Sequence, residues 1–209
     1  MLVSLGEFEQ GLREYWSEID RRARHVQARE QAFDDLAAAY AGKTPPHFNR
    51  AELTQIMEWK HTDARWFNRA MQGINAVSDA KIAQITSNIS ADPRLAVRGL
   101  NGAFQGVGVA SASAIVTAAR PDLYAVIDVF ALIAIDHHYT FSWIDRMARN
   151  KEGQLQPTYF DYPSYVEFCR IRARELSKVS GKDWIPRKVD MALWGLGKRL
   201  GANKHLACH

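Results

Sequence analysis

Two features near the middle of the chain have residue types and a spacing that suit chemistry on a phosphorylated substrate. The first is the turn Gly106-Val107-Gly108, which runs directly into the small apolar segment 109–119. Such a turn lets a phosphate approach the backbone closely, and the start of the following helix supplies N–H donors and a favourable dipole. We expect both glycines to lie where a side chain would clash or where φ is positive. By itself, a Gly-x-Gly before a helix is more often only a tight turn.

The second feature is Asp128, which is the one charged residue between Asp122 and Asp136 and has apolar neighbours on both sides. A carboxylate in such surroundings is costly to bury without a partner. The simplest interpretation is an N-cap for the helix that follows, through Ile135. A carboxylate at the start of a helix can also face a cleft, so a cap and a chemical role are compatible.

Helical periodicity runs through most of the chain and predicts the elements that position these residues. Apolar side chains recur at steps of three and four over the first forty residues, and 42–48 is the clearest linker. Helix N-caps are predicted at Asn49, Ser78 and Asp92. No alternating strand pattern of useful length occurs. The predicted fold class is all-α, with nine or ten helices joined by short connections.

Composition excludes several classes of protein. The 209 residues are 47% hydrophobic and 24% charged, which is enough for a substantial core. Two cysteines are too few for a disulfide scaffold or a cysteine-bound metal. No apolar run is long enough to span a membrane, and the acidic start differs from a secretory signal. We therefore expect no metal site, no membrane partner and no secretion, and a location in the cytoplasm, with the nucleoid, or in a nucleus.

The charge distribution is compatible with a polyanionic partner. The net charge is +4, and residues 181–209 carry six Lys and Arg against two Asp. From charge alone, a mixed and solvated surface is the better interpretation. The basic residues of this end either contact phosphates or only solvate the last helix; they are Lys182, Arg187, Lys188, Lys198, Arg199 and Lys204.

Together, the turn and the aspartate resemble the helix–hairpin–helix–Gly/Pro–Asp motif of base-excision DNA glycosylases. That superfamily includes endonuclease III and the 8-oxoguanine and 3-methyladenine glycosylases. The resemblance rests on 106–115 and 125–128, covers about residues 98–135, and is loose elsewhere. In lyase-competent members a catalytic lysine precedes the aspartate by about the separation found here between Ala110 and Asp128, which is eighteen residues.

The resemblance implies a two-lobed, all-α glycosylase-like fold. Residues 1–48 and 120–209 would form one lobe from both chain ends, and 49–119 would form a central lobe ending in the hairpin. It implies DNA-backbone contacts at Gly106, Val107, Gly108, Val109 and Ser111. It also implies a monovalent cation at the hairpin carbonyls and no other cofactor.

Two departures from the family pattern narrow the expected activity. Ala110 stands at the lysine position, so the Schiff-base nucleophile of lyase-competent members is missing. The four cysteines of the endonuclease III branch are also absent. We therefore expect a monofunctional DNA glycosylase, acting as a monomer on double-stranded DNA that contains a modified base. The alternatives are a non-enzymatic DNA-binding protein of the same fold and a helical interaction protein whose turn is only structural.

The mechanism that the resemblance implies gives Asp128 the catalytic role. Cleavage of an N-glycosidic bond builds positive charge on the sugar, and one carboxylate near C1′ can stabilise that charge and orient water. The base must leave the helix and enter a pocket. The cluster Trp59, Lys60, Arg65 and Trp66 is the predicted pocket lining. The alternative is that both tryptophans are core residues and both basic residues lie on the surface.

Overall fold

A computed structural model describes residues 3–22 and 24–206, and most of them are helical. The all-α prediction is confirmed, with eleven helices in the described residues rather than nine or ten. None of these helices is long and apolar enough to cross a membrane. The helices are α1 (Leu5–Asp20), α2 (Arg24–Ala41), α3 (Arg50–Lys60), α4 (Ala64–Asn75), α5 (Asp79–Ser87), α6 (Pro93–Ala103), α7 (Val109–Ala119), α8 (Val129–His138), α9 (Ser142–Asp145), α10 (Tyr162–Ser180) and α11 (Pro186–Leu206).

The predicted N-caps of three helices are confirmed. The side chains of Asn49, Ser78 and Asp92 accept backbone N–H groups in the first turns of α3, α5 and α6. At α3 the cap is reciprocal, because the Glu52 side chain accepts the Asn49 N–H. These starts could be predicted because a cap depends on residues three or fewer positions apart.

The described residues also contain one short β-hairpin, which the sequence pattern does not reveal. Strands β1 (Ala148–Arg149) and β2 (Leu155–Gln156) pair antiparallel, with Ala148 opposite Gln156. Two residues per strand are too few to display a period of two in the sequence. Strand β2 forms part of the wall of the cleft described below.

The helices pack around one large set of buried side chains, which extends from Val3 to Leu196, and a small second set consists of Tyr15, Ile19 and Met191. On one side, α1, α8 and α10 contact α11; on the other, α6 and α3 contact α7. Helices α1 and α11 approach closely because Gly11 and Gly195 lie at their contact. A methyl group on either glycine would overlap the backbone of the other helix. Helix α2, which the sequence analysis assigns to the lobe of the chain ends, packs mainly against α3 and α7.

Candidate active site

The glycine turn between α6 and α7 is held tightly against α4. Gly106 has a φ of 85°, and a Cβ there would lie 2.5 Å from the carbonyl oxygen of Arg69. Gly108 has a φ of −77°, and a Cβ there would meet nothing within 4 Å. The expectation of a clash or a positive φ is therefore correct for Gly106 and wrong for Gly108.

Gly108 has a different use, which is to leave the start of α7 uncovered. It is the N-cap residue of α7, and no side chain caps this helix. Helix geometry leaves the first N–H groups, including those of Val109 and Ser111, without an intrahelical acceptor. These donors lie on the cleft described below, where an anion could accept from them.

Two of the residues predicted to contact the DNA backbone, Val107 and Ser111, already make hydrogen bonds within the protein. Val107 is buried, its N–H donates to the Phe104 carbonyl at 3.1 Å, and its carbonyl accepts from the Asn101 amide at 2.7 Å. The Ser111 hydroxyl is buried and lies 2.9 Å from Nε2 of His61. The groups left for a phosphate are therefore main-chain N–H groups of α7 rather than these side chains.

Two carbonyls at the hairpin, where the resemblance implies a monovalent cation, already accept hydrogen bonds within the protein. The Val107 carbonyl already accepts from Asn101, and the Phe104 carbonyl accepts the Val107 N–H. Each of these carbonyls keeps a second lone pair, so the cation stays a prediction, and we assign no step to it. Among the described residues, no cluster of three or more His, Cys, Asp or Glu side chains is placed to hold a metal ion.

His61 connects the end of α3 to the start of α7. Burial, with a smaller effect from the Lys60 charge, lowers the pKa of His61 from 6.5 to about 4. The ring is therefore neutral at physiological pH and can share a hydrogen bond with Ser111. This contact helps to place Lys60, the residue before His61, near the glycine turn at the start of α7.

Asp128 ends a buried extended segment, 124–128, whose backbone is held by side chains from three helices. The N–H of Val126 donates to Asp190 at 2.6 Å, and the N–H of Ile127 donates to Ser113 at 3.1 Å. Carbonyls of the same segment accept from two tyrosine hydroxyls of α10, each at 3.0 Å. Because buried backbone groups need such partners, this set of contacts fixes where Asp128 emerges.

Asp128 is the N-cap of α8, as predicted, and it also forms an ion pair with Lys60. One carboxylate oxygen accepts the Phe130 N–H at 3.1 Å, and the other lies 2.8 Å from Lys60 Nζ. The Lys60 side chain is 9% exposed and that of Asp128 is 27% exposed. Burial raises the pKa of Asp128, but Lys60 and the Phe130 N–H together bring it below its usual value. The carboxyl is therefore ionised at neutral pH.

A cleft of about 750 Å³ lies beside this pair, and we call it the outer cleft. Its walls include the Gly106–Ser111 turn, the residues around Asp128, and β2. Trp66 stands on the wall and is 46% exposed, with the guanidinium groups of Arg65 and Arg69 4.8 and 5.8 Å from its ring centroid. The outer cleft therefore has an exposed aromatic ring with two cationic side chains beside it.

A second cavity, of about 320 Å³, touches the same ion pair, and we call it the inner cavity. Trp59 lines this cavity but not the outer cleft; it stacks on Phe33 at 3.9 Å and donates to Glu30 at 2.6 Å. Lys60 and Asp128 line both spaces. The four predicted pocket residues are thus divided: Trp59 faces inward, Trp66 faces outward, Lys60 lies at the junction, and the exposed Arg65 lines neither.

The sequence analysis missed the charged cluster of the inner cavity. Arg187 is 5% exposed, and its guanidinium contacts Asp190 at 2.5 Å and Glu30 at 3.0 Å. Sequence reasoning treated Arg187 as a phosphate contact or a surface residue, and both interpretations are wrong because it is buried. Lys198 also lines the cavity, over the rings of Phe130 and Trp194. The side chain of Lys204 lies outside the described residues.

Comparison of the chain with protein-family models, with curated proteins and with solved structures gave no match. The functional argument therefore rests on the geometry of the site.

Proposed function

We propose that the protein is a DNA glycosylase that hydrolyses the bond between a modified base and deoxyribose, with Asp128 as the catalytic carboxylate. The observation that carries this proposal is the position of Asp128. It is ionised, it stands where the outer cleft and the inner cavity meet, and the uncapped start of α7 faces the same cleft. A glycosylase needs a surface that binds the DNA backbone, a pocket that takes the flipped base, and a carboxylate near the sugar between them. The outer cleft, the inner cavity and Asp128 have this arrangement.

The proposed reaction needs little covalent chemistry from the protein. As the C1′–N bond lengthens, the sugar becomes positive, and the fixed carboxylate of Asp128 stabilises it. The departing base carries the bonding electrons, and a water oriented by Asp128 adds to C1′. The water loses one proton to solvent and the base takes up one proton from solvent, so the products are the free base and a sugar with a hydroxyl at C1′. Lys60 is a positioning residue here, because its ammonium holds one Asp128 oxygen at 2.8 Å.

Binding to the DNA backbone is assigned to the outer cleft. Main-chain N–H groups at Val109, Ala110 and Ser111 would donate hydrogen bonds to a phosphate at the start of α7. Trp66, with Arg65 and Arg69 beside it, would contact the unpaired region that a displaced base leaves. We propose a monomer acting on double-stranded DNA without a cofactor.

A second candidate, a DNA-binding protein without catalysis, is favoured by the same ion pair. The Lys60 ammonium offsets part of the Asp128 charge and would weaken its effect on a developing cation. In that case the outer cleft would bind DNA while no base is released. Affinity that falls steeply with salt, together with intact bases, would identify this function.

A panel of duplexes, each with one modified base, tests the proposal. After incubation with the protein, half of each sample is heated in alkali, which cleaves abasic sites. We expect one or more duplexes to be cleaved only after alkali, because Ala110 cannot supply a lyase amine. Salt-dependent binding without base release would replace the proposal with the second candidate. If the protein neither binds DNA nor releases a base, both candidate functions are contradicted.

A further inference from the structure

The inner cavity has the location and size of a pocket for one flipped base. Lys60, Thr62, Asp128 and Val129 line it and also line the outer cleft, so the two spaces meet at the proposed catalytic pair. Its volume of about 320 Å³ lies at the small end of ligand pockets. A base that leaves the duplex past Asp128 would enter this space.

The acidic groups of the cavity are already paired. Glu30 accepts from Arg187, from the Tyr15 hydroxyl at 2.5 Å, and from Trp59. Asp190 accepts from Arg187 and from a backbone N–H, while Asp128 is paired with Lys60. A cationic ligand would therefore have to displace internal ion pairs to reach these carboxylates.

The fourth acidic residue of the cavity, Glu58, does not make the wall negatively charged overall. Glu58 also lines the cavity, and Arg29, another wall residue, donates to its backbone carbonyl at 3.3 Å. Among the described residues that line the cavity, five are basic and four are acidic. The aromatic faces are likewise occupied by cations, since Arg187 lies 5.0 Å from the Trp59 ring and Lys198 lies 5.0 Å from the Phe130 ring.

One donor on the wall is buried and has no partner. Among the described residues, the Nε–H of Arg187 has no hydrogen-bond acceptor, although the other guanidinium nitrogens contact Asp190, Glu30 and Tyr15. Buried donors in folded proteins are nearly always satisfied, and an acceptor brought by a ligand would satisfy this one. Arginine has only donors and remains charged.

We infer that the inner cavity receives the flipped base and selects a neutral base with a carbonyl oxygen or unprotonated ring nitrogen over a cationic, ring-alkylated base. The inference rests on the proposed glycosylase function. Its physical basis is the buried Nε–H of Arg187, which has no acceptor among the described residues, and the ammonium of Lys198, which repels a cation.

Two measurements separate this inference from the function on which it rests. The first compares single-turnover release of 8-oxoguanine, hypoxanthine and uracil with that of 7-methylguanine and 3-methyladenine, each relative to its uncatalysed loss. We expect at least one neutral base to be accelerated tenfold more than either alkylated base. The second, which needs no catalysis, uses saturation-transfer NMR to compare binding of free inosine with that of cationic 7-methylguanosine.

Variants connect the preference to the cavity. Arg187→Lys keeps the charge but loses the Nε–H donor, and it should reduce release of the neutral base by about ten- to a hundredfold. Arg170→Lys is the matched control, because Arg170 donates to the Leu123 carbonyl and lines neither space. If Arg187→Lys does not fold, Lys198→Gln, which removes a charge from the wall, should lower the ratio of neutral to cationic release.

Each outcome decides one of the two proposals. Preferred release of an alkylated base would overturn the inference and leave the glycosylase function standing. No release from any duplex, with inosine bound in an Arg187-dependent manner, would remove the function and keep the selectivity of the cavity. Equal binding of inosine and 7-methylguanosine would overturn the inference in either case.

Discussion

The ion pair between Lys60 and Asp128 should couple the two residues energetically, and a double-mutant cycle measures this coupling. Asp128→Asn keeps an oxygen that can accept the Phe130 N–H, so the N-cap of α8 survives while the charge is lost. Lys60→Met keeps most of the apolar stem and removes the ammonium. Unfolding in urea of the wild type, both single variants and the double variant gives the coupling free energy.

The structure gives the expected size of this coupling. Two unit charges 2.8 Å apart attract by about 6 kcal/mol at an effective dielectric constant of about 20. Most of this attraction is offset by desolvation, since the Lys60 side chain is only 9% exposed. We expect a coupling of about 2 kcal/mol, with Asp128→Asn the more costly single change because it leaves a nearly buried ammonium unpaired.

A surface pair supplies the control. Arg149 and Asp136 are 3.0 Å apart, but their side chains are 45% and 33% exposed. Their coupling should be below about 0.5 kcal/mol because solvent screens the charges. A Lys60–Asp128 coupling as small as that of the control pair would refute the argument that Lys60 holds the carboxylate in place.

Three further results are expected. Gly108→Asp should raise the stability of the protein by a few tenths of a kcal/mol as a better N-cap, yet lower DNA affinity in fluorescence anisotropy at low salt, because it covers an N–H donor and repels the phosphate. Gly108→Ser, which covers a donor without adding charge, should lower the affinity less than Gly108→Asp does. Because the pKa of His61 is lowered to about 4, its neutral form contributes stability above pH 6.5 that is lost as the pH falls through 4. The wild type should thus lose about 1 kcal/mol more than His61→Gln between pH 7 and pH 4 in urea unfolding, after allowance for solvent screening. Borohydride should trap no covalent adduct with DNA, and an adduct that disappears in Lys60→Ala would make Lys60 an amine nucleophile.

The parts of the fold and site that could be predicted from the sequence depend on neighbouring residues. The caps at Asn49 and Asp92 and the cap at Asp128 each need only the next few residues. The tight turn at Gly106 could be predicted for the same reason. The openness at Gly108 could not, because the two glycines differ in what surrounds them rather than in sequence.

The partners of the site residues could not be predicted, because they come from distant parts of the chain. Lys60 and Asp128 are 68 positions apart, and Arg187 is 157 positions from Glu30. A basic residue near the end of the chain has the same local pattern whether it is buried or solvated. The one usable signal was the lone charge in an apolar segment, which indicated that Asp128 needs a partner without naming it.

The most direct test of the central claim is single-turnover base release by the wild type and by Asp128→Asn, on the duplex that the wild type cleaves best after alkali. Asp136→Asn, which removes a carboxylate from the other end of α8, serves as the control. The assay is run at a temperature where all three proteins are folded by circular dichroism. We predict that Asp128→Asn binds the duplex but releases the base at least a hundredfold more slowly, while Asp136→Asn matches the wild type. Release by Asp128→Asn at the wild-type rate would contradict the account, because the carboxylate would then be only a helix cap.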